Sequence, residues 1–401
     1  MKRLALFIGV FLTVTVFVFG SIFLFNIEAF STFFKNRSAM SEGSEWIEKT
    51  YSLKGLTEYI RENPQHVSVA SLVINKPDSV IYYGEETPRP MGSISNFFII
   101  AGYLNAFENN VIDPDSEFEW DLASQHLLPK VYESAHSESK NRAVKEKRLV
   151  NGKISYRNAL DILAKDNSPA LSDYLWFKLG YEYWANFMKD LDLVNTDNPL
   201  PFSGLYLAAA PNIREMSFNE IMNHWNSLTR DEKELLVIQF ADNYATNENI
   251  RRTYLEKLNN NRLGNTFKQE RDALTMFPKT TAKEMVLILE KLWHDSFLSE
   301  QTSRELKKII QWPGDEQTIK LHYNVYGAIY DNRMGLLNGI DFGTSLYTGD
   351  TTVQAVFFDR LPISFWFHMS SNHMHQDFQQ RLIYDPALIE LMQKVSSNTH
   401  E

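Results

Sequence analysis

The chain has 401 residues, 44% apolar and 22% charged, with a formal net charge of −10 and no cysteine. That is enough for one large domain or two intertwined ones, and too apolar for disorder. The acidic balance argues against nucleic acid as the main partner, because phosphate binding needs a basic surface. The missing thiols exclude disulfides, thiolate metal sites and a lipidated N-terminal cysteine.

Lys2 and Arg3 precede an uncharged stretch from Leu4 to Phe25. A run of about 20 apolar residues suffices to cross a bilayer as a helix. The residues after it, Phe23 to Glu28, offer no small-x-small cleavage site, so the sequence predicts an uncleaved anchor over 1–27. The two basic residues place that end in the cytoplasm. The expectation is a single pass through the inner membrane, a polar tether over 28–48, and the bulk of the chain (49–397) in the periplasm.

Ser52 can cap a helix running to Glu62, ahead of Pro64. His66–Ile74 is a β-branched run, and Lys76-Pro77-Asp78 turns it into Ser79–Tyr83, a hairpin. From about Ser93 to Gln317 the periodicity is mostly helical. Ile94–Asn109 is apolar on nearly every side and reads as a central buried helix. Tyr156–Ala164, Pro169–Leu179, Asp231–Tyr244, Thr281–Trp293 and Gln301–Gln311 follow as helices. The basic stretch Lys140–Lys153 reads as a solvated loop. Strands return at Tyr323–Tyr330, Phe342–Tyr347, Thr352–Phe358 and Ile363–Met369, and a last helix spans about His373–Lys394. The order implies an α+β fold. Strands from both ends pair into one antiparallel sheet (an α/β lobe, 49–90 and 318–397), and the middle forms a helical lobe (91–317), with a cleft between them.

Three segments could carry chemistry. In Gly92-Ser93-Ile94-Ser95-Asn96, a serine opens the buried helix, among backbone N–H groups able to stabilise an oxyanion; Ser93 would equally serve as a plain N-cap. Lys165-Asp166-Asn167-Ser168-Pro169-Ala170 joins two helices, and its polar residues would equally serve as caps. Arg333-Met334-Gly335-Leu336-Leu337-Asn338-Gly339 lies between strands. Asn338-Gly339 suggests the turn there, and a cation two residues before Gly335 could meet a carboxylate beside bare backbone. His368, His373 and His375 lack the spacing of four that suits a helical metal pair, and no metal or cofactor is expected.

In their order and spacing the three segments resemble the serine β-lactamases and penicillin-binding proteins, whose motifs are Ser-x-x-Lys, Ser-x-Asn and Lys-Thr-Gly. The resemblance covers about Ser52 to Lys394. It implies that Ser93 is the acylated nucleophile and that the backbone N–H groups of Ser93 and Leu336 form the oxyanion hole. It also implies that Asn96, Asn167, Arg333 and Gly335 bind substrate. A rival place for the third motif is Tyr347-Thr348-Gly349. The departures are that Asn96 stands for the base lysine, Lys165 for the second-motif serine and Arg333 for the third-motif lysine. No Glu-x-x-Leu-Asn follows the second motif, where Asn198–Gly204 lies instead. A longer side chain at the second motif could return an amine to Ser93, so Lys165 is the candidate relocated base, its basicity tuned by burial beside Arg333. The expected activity is cleavage of an amide or ester, in a small molecule or a peptidoglycan-type peptide, through an acyl-enzyme. The alternative is an inactive relative that keeps the cleft for binding a cell-envelope ligand or partner.

Overall fold

The computed structural model describes residues 32, 34–261, 263–310, 323–345 and 347–397, with 259–261 and 323–332 described by their backbone only. Five strands form the main sheet: β1 (Val67–Val73), β2 (Val80–Tyr83), β3 (Tyr323–Arg333), β4 (Leu336–Ser345) and β5 (Thr351–Phe358). Their order is β2-β1-β5-β4-β3, and every neighbouring pair is antiparallel. Strands from the two ends of the chain therefore meet at the centre of one sheet, β1 beside β5.

The helices that position the site are α1 (Leu53–Glu62), α2 (Ser95–Glu108), α3 (Glu133–Lys145), α4 (Tyr156–Asp166), α5 (Pro169–Leu179), α6 (Phe202–Ala208), α7 (Ala282–Trp293), α8 (Ile363–Ser371), α9 (Met374–Tyr384) and α10 (Pro386–Ser397). Alternation along the strands sorts the two sheet faces. Ala70, Leu72, Ile340, Phe342, Val353 and Ala355 point to the front, where α2, α7 and the helical lobe lie. Val67, Val69, Leu337, Val356 and Phe358 point to the back, under α1, α8, α9 and α10. Helix α2 is sealed on nearly all sides, as its composition predicts, and each such buried aromatic or aliphatic chain contributes about 1.5–3 kcal/mol. Its Gly102 is demanded by packing, since a Cβ there would lie 2.5 Å from Trp184 Cζ3.

Four expectations are corrected. Ile363–Met369 is a helix, not a strand: Pro362 starts it, and Ile363, Trp366 and Met369, spaced by three, turn one face inward. The final helix is two helices, because Pro386 cannot continue the first and holds Asp385 extended. Asn338-Gly339 makes no turn. Both residues lie within β4, and the turn is Met334-Gly335, where Gly335 has φ +77° and lies under the Arg271 side chain. Lys140–Lys145 continues α3, so only the remainder of that basic stretch is loop.

The described part of the expected tether is folded onto the domain. Lys35 Nζ donates to Gly264 O and Asn265 O at 2.9 Å each, and Phe267 N donates to Asn36 Oδ1 at 2.6 Å. Arg271 pairs with Glu42 at 2.8 Å, and Trp46 packs edge-on to Tyr59. The apolar stretch Leu4–Phe25 lies outside the described residues. Among the described residues no helix is long and apolar enough to cross a membrane.

Candidate functional site

The first two motifs meet. Ser93 sits in a single 3-10 turn, Gly92–Ile94, that leads into α2, and is 4% exposed. One turn on, Asn96 is 1% exposed, and its Nδ2 donates to Asn167 Oδ1 at 3.1 Å. Asn167 reaches it because it ends α4 in the left-handed conformation, φ 50° and ψ 41°, which asparagine tolerates. Ser168 then caps α5 by accepting from Leu171 N, with Pro169 at the first helical position. Ser168 is itself braced by His136 Nδ1 at 3.1 Å, and the other ring nitrogen of His136 meets Ser124. Burial pushes the His136 imidazole down to about 4, so it sits there neutral. The capping role and the site-facing role of this segment coexist, in different residues.

Lys165 does not deliver its amine to Ser93. Its Nζ lies 3.0 Å from both carboxylate oxygens of Glu146, just beyond α3. Arg148 Nε joins the same carboxylate at 2.9 Å, Arg142 Nε holds Asp166 at 2.7 and 2.9 Å, and Arg148 also pairs with Asp161. Burial works to raise the Glu146 carboxyl, but the hydrogen bond and charge of Lys165, with Arg148 and Arg142, hold it below the usual range. An ammonium clamped by a carboxylate is the opposite of what a general base requires.

Arg333 lies at the tip of a hairpin. It occupies the closing rung of the β3–β4 hairpin opposite Leu336, with its guanidinium over the rings of Phe202 (5.6 Å) and Tyr206 (5.1 Å). Its charge acts on Asp173, a fully buried carboxylate of α5 that accepts from Phe202 N (2.6 Å) and Ser203 N (2.8 Å) at the start of α6. Burial nevertheless pushes Asp173 up to about 7. Arg333 is thus a structural tie between the hairpin tip and the helical lobe. Leu336 is fully buried in that same core and gives its carbonyl to Trp366 Nε1 at 3.1 Å. Gly335 is covered by Arg271. The rival Tyr347-Thr348-Gly349 is no better placed, since it forms the exposed turn between β4 and β5.

The residue that ties the sheet to the serine is one read as a turn. Asn338, fully buried in β4, donates Nδ2 to Pro90 O and Met91 O, both at 2.8 Å, just before Ser93. Its rung partner is Asp331, so the part of β3 beside the serine segment lies ahead of Arg333. Asn338, Glu146 and Asp173 were missed as contributors. Only Asn338 left a sequence signal, a polar residue in an otherwise apolar run, and its glycine neighbour disguised it. His368, His373 and His375 do not converge: His375 is sealed against Phe358, whereas His373 is exposed. Among the described residues no His, Cys, Asp and Glu group could hold a metal.

This architecture, a five-stranded antiparallel sheet with a serine opening the buried helix before it and helices on both faces, is the α+β arrangement that the order of elements implied. Among solved structures the chain is similar to the penicillin-binding protein PBP-A (10% identity, TM-score 0.46, covering 82% of this chain and 97% of that one). It is also similar to the TLA-1 extended-spectrum β-lactamase (13% identity, TM-score 0.45, 84% and 98%). A β-lactamase from Sphaerobacter thermophilus gives 9% identity and TM-score 0.49, over 86% and 95%. No family model matches the sequence, and no curated protein does.

Proposed function

We propose that this is a membrane-anchored protein, carried by its Leu4–Phe25 segment on the periplasmic face of the inner membrane, whose β-lactamase-like cleft binds a cell-envelope ligand without cleaving it. One observation carries the reading. At the position where acylation needs an amine, Asn96 is bonded to another neutral amide, Asn167, while the nearby Lys165 is held by Glu146. A serine hydroxyl is a weak nucleophile until a neighbouring base takes its proton. The same neutral pair suits binding: Asn167, half-buried and steadied by Asn96, presents an amide that matches an amide of a peptidoglycan-type ligand.

The catalytic reading, with Ser93 as nucleophile and Lys165 as relocated base, draws on the retained serine at the start of α2. It requires Lys165 to leave Glu146. The deciding experiment treats the full chain, in detergent, with a fluorescent penicillin and a fluorophosphonate probe. It also measures binding of muropeptides by calorimetry. The binding reading expects no covalent mass on Ser93 and a muropeptide affinity that weakens in Asn167→Ala. An adduct on Ser93 that disappears in Ser93→Ala would overturn it.

A further inference from the structure

The dipeptide Asn-Gly occurs twice in the chain, at Asn151-Gly152 and Asn338-Gly339, and the fold treats the two in opposite ways. Asn151 and Gly152 are the exposed tip of a tight hairpin in the helical lobe. Val150 and Lys153 close it by exchanging both backbone hydrogen bonds, at 2.9 Å each. The two central residues have φ 51° and 80°, the signs that a type I′ turn requires. Among the described residues the Asn151 side chain and Gly152 N make no hydrogen bond, and the Gly152 carbonyl accepts from Trp120 N at 2.8 Å. Asn338 is fully buried in β4 instead, with its Nδ2 tied to Pro90 O and Met91 O, and Gly339 is held between β3 and β5.

An asparagine amide is open to attack by the backbone nitrogen that follows it. The reaction needs that nitrogen unbonded, the side chain free to swing, and a following residue too small to block the approach. Asn151-Gly152 meets all three conditions. The reaction also needs ψ of Asn151 turned so that Gly152 N faces Cγ. Flipping the 151–152 peptide does this: it converts type I′ to type II′, which keeps φ positive at Asn151 and sets its ψ at about −120°. Gly152, without a Cβ, takes the reversed φ readily. Its carbonyl belongs to the next peptide and keeps its bond to Trp120.

We infer that Asn151 is a site of spontaneous deamidation and that Asn338 is not. Gly152 N bonds to Asn151 Cγ and gives its proton to a base in solvent. The Cγ–Nδ2 bond breaks, and the amide leaves as ammonia with a proton from water. Water then opens the five-membered imide. Cleavage at Cγ leaves aspartate; cleavage at the backbone carbonyl leaves isoaspartate, whose chain runs through the side chain. Either product puts a carboxylate at the hairpin tip, and isoaspartate also lengthens the backbone of the turn. The inference is independent of what the cleft at Ser93 does.

The test is peptide mapping by mass spectrometry of the full chain in detergent, aged at mildly alkaline pH beside a sample unfolded in guanidinium chloride. Ageing continues until Asn338 in the unfolded sample is half converted, which shows that the dipeptide reacts once the sheet no longer holds it. In the folded sample, tryptic peptide 149–153 should then contain aspartate and isoaspartate forms, and peptide 334–360 should keep its amide. Asn338 reacts only when the sheet opens, so the two folded rates should differ by about a hundredfold or more. Asn151→Gln, whose longer side chain has to close a six-membered ring, should keep its amide over the same period. Asn151 still wholly an amide at that point, or converted no further than Asn338 in the same folded sample, would overturn the inference, and neither result depends on a variant. Loss of the amide from Asn151→Gln at the rate of the native chain would overturn it too, because plain hydrolysis would then account for the change.

Discussion

Two places only two residues apart in the chain are built on opposite electrostatic plans. Around Asn167 the polar groups are neutral and joined amide to amide, with Asn96 buried and Asn167 half-buried. Around Lys165 they are ionic and partly solvated, with Arg142, Glu146, Arg148, Asp161 and Asp166 in one network. The difference follows from solvation. An ammonium taken from water into the interior costs several kcal/mol unless a good partner comes with it, whereas a network at the surface costs little and contributes little. The serine segment holds the uncharged solution, and the charges stay where water can reach them.

The sharpest test of the buried side is Asp173. Asp173→Ala would strip two buried N–H groups at the start of α6 of their acceptor at once. A loss of about 3–5 kcal/mol is expected in urea unfolding, as for two buried donors left unsatisfied. A loss below about 1 kcal/mol would show that the start of α6 does not depend on this carboxyl.

Asn96→Lys asks whether the neutral plan can be reversed. It puts an amine at a position 1% exposed whose present partner is uncharged. Burial disfavours the ammonium, so the folded form should lose protons that the unfolded chain keeps. Stability then rises with pH, towards the ordinary lysine range. A deficit of about 3 kcal/mol at neutral pH, shrinking as the pH approaches about 10, is expected. A stable variant that also gained penicillin labelling would erase the contrast and support a site only one residue from activity.

On the back face of the sheet, Asp341 carries the same cost in the native chain. It is fully buried in β4 beside Gln354, and burial, outweighing the backbone N–H of Phe342, pushes it up to about 8. The folded form therefore holds a proton that the unfolded carboxyl releases near pH 4. Stability is full below that value and falls as pH rises towards 8, with a slope of at most about 1.4 kcal/mol per pH unit. Asp341→Asn should flatten this slope and leave the variant about 1–2 kcal/mol more stable at neutral pH by thermal unfolding. An unchanged pH profile would mean that Asp341 stays ionised with a partner.

What the sequence revealed depended on periodicity. Pro169–Leu179 and the hairpin at 66–83 were legible because patterning and turn residues agree. Ile363–Met369 was misread because aromatic and β-branched residues suit a strand as well as a tightly packed helix. The meeting of the first two segments, Asn96 with Asn167, was legible through order and spacing. Lys165 and Arg333 were not, because motif alignment fixes a backbone position while a long side chain goes wherever its partner is. Glu146 lies 19 residues from Lys165, and Phe202 and Tyr206 lie 131 and 127 from Arg333, and no local pattern announces them.

The smallest expected effect separates the two plans most cleanly. Lys165→Met keeps the length of the side chain and removes its charge. If Lys165 belongs only to the surface network, the variant should differ from the native chain by less than about 1 kcal/mol, since Arg142 and Arg148 still face Glu146. Muropeptide affinity should not move, because Asn96 and Asn167 keep their bond. If instead Lys165 swings to Ser93 during turnover, stability would again change little, yet any labelling at Ser93 would fall by orders of magnitude, as loss of a general base does. Stability alone cannot tell these apart. Labelling rates on Lys165→Met and Glu146→Gln, measured together, can: a base held back by Glu146 speeds up when that carboxylate is neutralised, and a surface charge does not.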